Sequence, residues 1–271
     1  MVALADALGR KMTGTVFYWW ELFSLLYISL RSGVVNRTQS FRTIFSVICS
    51  QIYFTGYQAL PLISVLAAAA GGVVVLQTTS QFSLLGGGAG IGQLMVMIVV
   101  REIAPLMTAL IVIARSGTAV ASEIGNMKVN REIQALESMG INPMSFIIFP
   151  RMAGGVISVL CLSLYFLFGS ILGGLIVARG LQGLPVEFYF DSITQAFTQA
   201  DVWLFVIKNL FSGFMIFTIA SYQGMQVKLG PHEVPQVTTK AVMDSIVAVI
   251  IFNLSVTIGY YLSHLKGLGL I

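Results

Sequence analysis

The chain has 271 residues, of which 56% are hydrophobic and only 10% are charged. Soluble domains carry roughly 25% charged residues, so this composition excludes an ordinary soluble protein and places most of the chain in a membrane. The apolar runs lack the alternation of a barrel strand, which predicts an all-α membrane protein. The net charge of +4 does not indicate nucleic acid, because the basic residues cluster beside apolar segments.

The N-terminal apolar run extends from Thr15 to Leu30 and is rich in tryptophan and tyrosine, which favour the headgroup region of a membrane. Glu21 interrupts the run and no small-residue cleavage motif follows, which argues against a signal peptide. Glu21, Ser24 and Arg31 fall on roughly one face of a helix. The pattern predicts a helix that lies in the inner membrane interface and does not span the bilayer.

No charged residue occurs between Arg42 and Arg101. One spanning helix needs about 20 residues, so this stretch must enter or cross the membrane more than once. The polar residues at 77–81 and the glycines at 86–90 are the natural places for a turn. We therefore predict a membrane-entering helix at 41–57, a first span at 59–80 and a second span at 91–116.

The second half of the chain carries three more apolar runs. The run from Met152 to Ala178 predicts a third span, and its small residues at Gly169 and Gly173 permit close helix contact. Cys161 in this run and Cys49 earlier show no metal-ligand spacing and are expected to be small buried residues. We predict an external loop with a short helix at 179–200, a fourth span at 202–222 and a fifth span at 241–264.

The distribution of lysine and arginine predicts the orientation. Five spans place the N-terminus on the same side as the charged segment that follows the second span. Eleven basic residues lie on that side, and only Arg179 and Lys266 lie on the other. Because basic residues favour the cytoplasm, we predict a cytoplasmic N-terminus and a C-terminus outside it.

The sequence contains no nucleotide-binding GxxxxGK[ST] motif, no HExxH zinc motif and no GxSxG nucleophile motif. We therefore expect no catalysis, no metal and no cofactor on this chain. The charged segment at 123–139 is the stronger functional signal. Val129, Ile133, Leu136 and Gly140 follow helical spacing, with the charges largely off that stripe. The pattern predicts one amphipathic helix, which is either an ordinary solvated helix or a docking element for a soluble partner.

A series of short motifs surrounds this segment: Arg101-Glu102-Ile103-Ala104-Pro105, Ala114-Arg115-Ser116-Gly117, Glu123-Ile124-Gly125, Met127-Lys128, Met139-Gly140-Ile141-Asn142-Pro143 and Pro150-Arg151. Together with the five-span layout they resemble the signature of the MlaE/YrbE family, over nearly the whole chain. Members of that family are the permease subunits of MCE-type ABC lipid transporters.

The resemblance implies a homodimer that encloses a cavity for a membrane lipid, in the inner membrane of a bacterium. It implies a separate cytoplasmic ABC ATPase, which carries the ATP and magnesium, and a ring of MCE-domain protein on the periplasmic side. The C-terminus would be periplasmic. One permease domain would cover 1–271, divided into an interfacial segment at 1–40, the helices at 41–116, a coupling helix at 117–143 and the remaining spans at 144–271.

The same resemblance makes 123–139 the helix that the ATPase binds. Asn130 and Arg131 stand where a Thr-Glu pair is usual in the family, and this departure affects which charges make the contact. The residues expected to couple the permease to the ATPase are Glu123, Met127, Lys128, Arg131, Glu132, Leu136, Glu137 and Met139.

Charges well inside predicted spans are costly and usually pair or face a cavity, and here they are Arg101, Glu102 and Lys208. Arg101 and Glu102 are sequence neighbours on different helix faces, so each needs its own partner, and Lys208 can reach the depth of Glu102. The pair either fixes helix packing or lines the lipid cavity, together with Asn253, where the family commonly has a carboxylate, and Tyr57. A secondary transporter or channel that conducts through these charges is the alternative function, and a structural scaffold is a third.

Overall fold

The computed structural model describes residues 17–32, 41–82, 90–228 and 230–267, and every secondary-structure element in those ranges is a helix. Five of the described helices are long and apolar enough to cross a membrane, which confirms the predicted all-α membrane fold. The five candidate spans are Ile44–Thr78, Gly90–Val129, Met144–Leu181, Gln199–Met225 and Pro231–Ser263.

We number the helices of the described ranges in chain order. Two π-helical stretches, Met95–Ile103 and Ile113–Gly117, interrupt the second span, which we treat as one rod. The helices are α1 (17–32), α2 (Phe41–Thr55), α3 (Leu60–Phe82), α4 (Gly90–Val129), α5 (Glu132–Ser138), α6 (Phe149–Gln182), α7 (Val186–Ala196), α8 (Gln199–Met225) and α9 (Val234–Gly267).

The charged segment differs from its prediction. The helical rod α4 does not end near residue 116 but continues to Val129, so Glu123 and Lys128 belong to its last turns. Asn130 then leaves the helical conformation, and Arg131 adopts a left-handed φ of 59° before α5 begins. The prediction of one helix over 123–139 is therefore wrong, because a left-handed residue cannot continue a right-handed helix.

The predicted membrane-entering helix and first span form one bent unit. A short 3-10 turn at Tyr57–Ala59 joins α2 to α3, and both helices pack on α6. The helices α3 and α6 run in the same direction, since Ala67 lies beside Gly169 and Gly72 lies beside Val177. Small residues let the two backbones touch, as the spacing of glycines in the third span predicts.

Gly71 provides a direct test of this close contact. A Cβ atom at Gly71 would lie 1.8 Å from the backbone oxygen of Ser170, so Gly71→Ala must push α3 away from α6. We expect a loss of about 1–3 kcal/mol in unfolding free energy, measured by thermal unfolding in detergent. Gly259→Ala in α9 is the matched control, because no atom lies within 4 Å of its added methyl group. Equal stability of the two variants would contradict the close packing.

The rod α4 lies between α8 and α9. It runs parallel to α8, since Gly117 contacts Ile216 and Ala121 contacts Gly224. The last span α9 runs in the opposite direction, so Val234 at its start lies beside Gly125 near the C-terminal end of α4. The described spans therefore alternate in the direction that the predicted topology requires.

The helix α1 packs lengthwise on α8 and α9. Tyr18 donates a hydrogen bond to Asp244 at 2.9 Å, and Leu22, one turn later, packs against Ile219 and Ala248. These contacts place α1 against two spans, and its position in the inner membrane interface stays a prediction. Burial raises the pKa of Tyr18, whose hydroxyl donates this bond.

The predicted external segment does contain a short helix, α7. Tyr189 of α7 is buried and donates a hydrogen bond to the carbonyl of Ile171 at 3.0 Å, which ties α7 to α6. The two cysteines do not follow their prediction, since Cys49 and Cys161 are exposed on the outer faces of α2 and α6. In a membrane span an exposed small apolar residue faces lipid, so composition alone did not place them.

Candidate functional site

A cluster of charges lies near one end of the bundle, where the first π-helical stretch of α4 meets α8 and α9. The Nε atom of Arg101 lies 2.6 Å from Oδ1 of Asp201, and the Nζ atom of Lys208 lies 3.0 Å from Oε1 of Glu102. The neighbours Arg101 and Glu102 thus have separate partners, as expected, although both partners are on α8. The π-helical winding explains why both side chains reach α8. A π-helical turn holds more residues than an α-helical turn, so a smaller angle separates successive side chains.

Lys208 is the centre of this cluster and is only 1% exposed. Besides Glu102, its ammonium donates to the carbonyl of Arg101 at 2.7 Å and to the hydroxyl of Thr257 at 2.8 Å. An ammonium has three N–H donors, and these three contacts use all of them. The buried charge is therefore fully compensated, and Lys208 joins α4, α8 and α9 at one point.

Asp201 is a site residue that the sequence prediction missed. It is fully buried, and its Oδ2 atom accepts a hydrogen bond from the backbone of Thr198 at 2.9 Å in a capping box that begins α8. Its other oxygen holds Arg101. The Thr-x-x-Asp spacing before an apolar run is a helix-start signal that could have identified it.

Asn253 extends the cluster along α9 towards the N-terminal end of that helix. It is buried and donates to the hydroxyl of Ser212 at 3.1 Å and to the carbonyl of Val249 at 2.9 Å. Asn253 is one helical turn from Thr257, so the structure brings four of the five predicted cavity residues together. With two acids and two bases, the ionised cluster carries no net charge.

A cavity of about 730 Å³ opens beside this cluster. The guanidinium of Arg101 lies 5.2 Å from the ring centroid of Tyr260, and both residues line the cavity. Its remaining wall comes largely from the start of α4 and from α7. Its volume falls in the range of sites for small molecules.

Tyr57 does not belong to this cluster. It lies in the 3-10 turn between α2 and α3, is 63% exposed, and stacks on Tyr53 with ring centroids 5.2 Å apart. Both tyrosines line a separate apolar groove with Cys161 of α6. The two rings therefore form an apolar surface away from the charged residues.

The opposite end of α4 carries the residues expected to couple to a partner. Glu123 is paired with Arg151 of α6 at 2.6 Å, which fixes the last turns of α4 against the third span. In α5 only Ile133 is buried, at 3% exposure, while Met139 just beyond it is 66% exposed. Leu136, Met127 and Lys128 are half-buried, and the exposed members of the predicted set are Glu123, Arg131, Glu132, Glu137 and Met139.

The two ends are joined by one rod. With 40 residues, α4 is about 60 Å long, and its described helical turns run without a break from the charge cluster to the coupling residues. Within the described residues, no group of three histidine, cysteine, aspartate or glutamate side chains is placed to hold a metal ion.

Comparisons with known proteins identify relatives of this architecture. A family model described as "Permease MlaE" matches residues 48–258. The chain is 30% identical over 212 residues to a "Probable ABC transporter permease protein" of Rickettsia typhi, covering 78% of this chain and 82% of that protein. It is also 28% identical over 251 residues to the "Intermembrane phospholipid transport system permease protein MlaE" of Haemophilus influenzae, covering 92% of this chain and 94% of that protein.

Proposed function

Because this chain belongs to the MlaE permease family, we propose that it is the membrane-spanning subunit of an ATP-driven phospholipid transporter. Two copies would enclose a lipid cavity, and a separate cytoplasmic ATPase would bind the nucleotide and its magnesium. A ring of MCE-domain protein would receive or supply lipid on the periplasmic side. The name of the Haemophilus influenzae relative supports phospholipid as the cargo.

The continuity of α4 is the observation that carries this proposal. A transporter driven by an external ATPase needs a rigid element that connects the docking surface to the cargo site. The rod α4 provides it, with Glu102 at the cargo end and Glu123 at the docking end. A movement imposed on the last turns of α4 would therefore reach Lys208 through the paired charges.

The charge cluster supports a cavity wall better than an ion path. Arg101 and Glu102 are each paired, and Lys208 has three hydrogen-bond acceptors, so the cluster offers no free site for a passing ion. A cluster without net charge, beside a cavity lined by both polar and apolar side chains, suits a lipid, whose glycerol and headgroup are polar and whose tails are not. A secondary transporter or channel would need these pairs to open during each cycle.

The inner surface supports docking. The side chains at Glu132, Glu137 and Met139 are exposed around a single buried anchor, Ile133, which is the arrangement of a surface that meets a partner. We place this surface and the N-terminus in the cytoplasm and the C-terminus in the periplasm, following the basic residues. The chain then forms one permease domain over 1–271.

Purification of the chain with its genomic neighbours tests the proposal. We expect an ATPase and phospholipid to copurify, and we expect Glu137→Lys to reduce copurification of the ATPase about tenfold by charge reversal. Glu187→Lys is the matched control, because Glu187 is an equally exposed glutamate of α7 at the opposite end of the bundle. It should leave the association unchanged.

The competing functions predict different results. A secondary transporter or channel gives flux down an ion gradient in vesicles that lack any ATPase, and its flux is unaffected by Glu137→Lys. A structural scaffold tolerates substitutions in the charge cluster without loss of lipid transfer. Either result, together with the absence of a bound ATPase, would contradict the proposed transporter.

A further inference from the structure

Arg115 is a charge within a candidate membrane span that the charge cluster and the docking surface do not use. It lies in the second π-helical stretch of α4, Ile113–Gly117, inside a candidate span. Along the rod, Arg115 is 14 residues (about 21 Å) from Arg101 and eight residues (about 12 Å) from Glu123. Arg115 therefore lies alone between two layers of paired charges.

The surroundings of Arg115 are polar but carry no negative charge. Its Nη2 atom donates to Oε1 of Gln58 at 2.5 Å, and its guanidinium lies 5.3 Å from the ring centroid of Phe54. Within the described residues, no carboxylate lies within ion-pair distance of Arg115, whereas Arg101 and Arg151 each have one. The Nη1 atom of Arg115 is buried and has no hydrogen-bond partner there.

The orientation of Gln58 follows from this contact. Arginine can only donate, so the oxygen of the Gln58 amide must face Arg115 and its NH₂ group must point away. Gln58 is exposed and sits in the 3-10 turn that joins α2 to α3. The amide NH₂ of Gln58 is thus available as a donor beside the guanidinium of Arg115, whose Nη2 contact with Gln58 is exposed.

An uncompensated guanidinium inside a span is costly, and the cost falls when an anion pairs with it. Phosphate is the anion that every phospholipid carries, and the planar guanidinium binds phosphate through two parallel N–H groups. The exposed contact between Arg115 and Gln58 is open to the phosphate group of a neighbouring lipid.

We propose that Arg115 and Gln58 form a binding site for the phosphate group of a lipid in transit, separate from the charge cluster. The proposal rests on the proposed transport function and adds a second lipid-binding position along α4. Phe54 holds the guanidinium in place through its ring face, and the second π-helical stretch positions Arg115 opposite the turn that carries Gln58.

The test uses the complete transporter complex in nanodiscs that contain equal amounts of phosphatidylglycerol and a diacylglycerol with the same acyl chains. Native mass spectrometry then measures which of the two lipids stays bound. Wild type should retain phosphatidylglycerol at least tenfold over diacylglycerol, and Arg115→Gln should abolish this preference while diacylglycerol still binds. Lys240→Gln is the control, because Lys240 is an exposed cation of α9 away from the site.

Gln58→Met is a second variant, which tests the phosphate site even if Arg115→Gln does not fold. Gln58 is exposed, so methionine removes its donor without disturbing the core, and the preference should fall about threefold. Unchanged preference in either folded variant would overturn the proposal. If inorganic phosphate displaces phosphatidylglycerol from wild type, the site binds free phosphate as well as the lipid phosphate; if it does not, the lipid is the only source.

The same samples separate this proposal from the proposed function. Copurification of the ATPase should be equal in wild type, Arg115→Gln and Gln58→Met, because Arg115 is about 12 Å from the last turns that begin at Glu123. If lipid preference is lost and the ATPase stays bound, both proposals hold. Loss of the ATPase from wild type itself would contradict the transport function and not the phosphate site.

Discussion

Replacing Lys208 with methionine is expected to destabilise the bundle by about 3 kcal/mol and to abolish lipid transfer. The substitution leaves the carboxylate of Glu102 without its cation and removes hydrogen bonds to Thr257 and to the carbonyl of Arg101. The expected cost lies at the low end for a broken buried ion pair, because the Glu102 side chain is 35% exposed. Thermal unfolding in detergent and lipid transfer between vesicles measure the two effects.

The double variant Glu102→Gln with Lys208→Met separates stability from transport. Without either charge, the desolvation cost disappears, so we expect most of the lost stability to return. We expect lipid transfer to remain below about a tenth of wild type, because one of the two ionic links between α4 and α8 beside the cavity is lost. A double variant that transports normally would show that the pair serves helix packing alone.

Replacing Ile133 with aspartate should reduce binding of the ATPase more than a hundredfold while the membrane bundle stays folded. Ile133 is the buried anchor of α5, and burial of an isoleucine side chain contributes about 1.5–3 kcal/mol. A charge at this position cannot stay in the core, so α5 must leave the rod, and the exposed docking residues lose their fixed positions.

The control for this prediction is Gln134→Asp, which adds the same charge at the next residue on the exposed side of α5. We expect it to weaken the association less than threefold. Pull-down of the ATPase measures both variants, and the thermal stability of the five spans shows whether the bundle is intact. Full binding by Ile133→Asp would exclude α5 from the docking surface.

The sequence predicted the number of spans because each needs a long apolar run, and the structure has five candidates of that kind. It also predicted that Lys208 reaches Glu102, since both residues lie at similar depths in their spans. The sequence did not predict how far α4 extends. A change from apolar to charged residues near 117 marks a change of solvent, but the backbone hydrogen bonds continue through it to Val129.

Two local features were not predicted. The left-handed conformation of Arg131 ends the helical path within a segment whose apolar spacing stays regular from Val129 to Leu136. Asp201 fell between the predicted external loop at 179–200 and the predicted fourth span at 202–222, whereas the helix begins at Gln199. The role of Asp201 depends on its contact with Arg101 of another helix, and the sequence pattern of a single helix does not show that contact.

The wide turns of α4 have a consequence for how the family can vary. Each π-helical stretch accommodates more residues per turn than an α-helix, so the loss of one residue between Met95 and Ile103 could be absorbed by a return to α-helical winding. The helix would survive, but Arg101 would swing around the axis relative to Asp201. Relatives that differ in length here would keep the transmembrane architecture and yet face their cargo with another set of side chains.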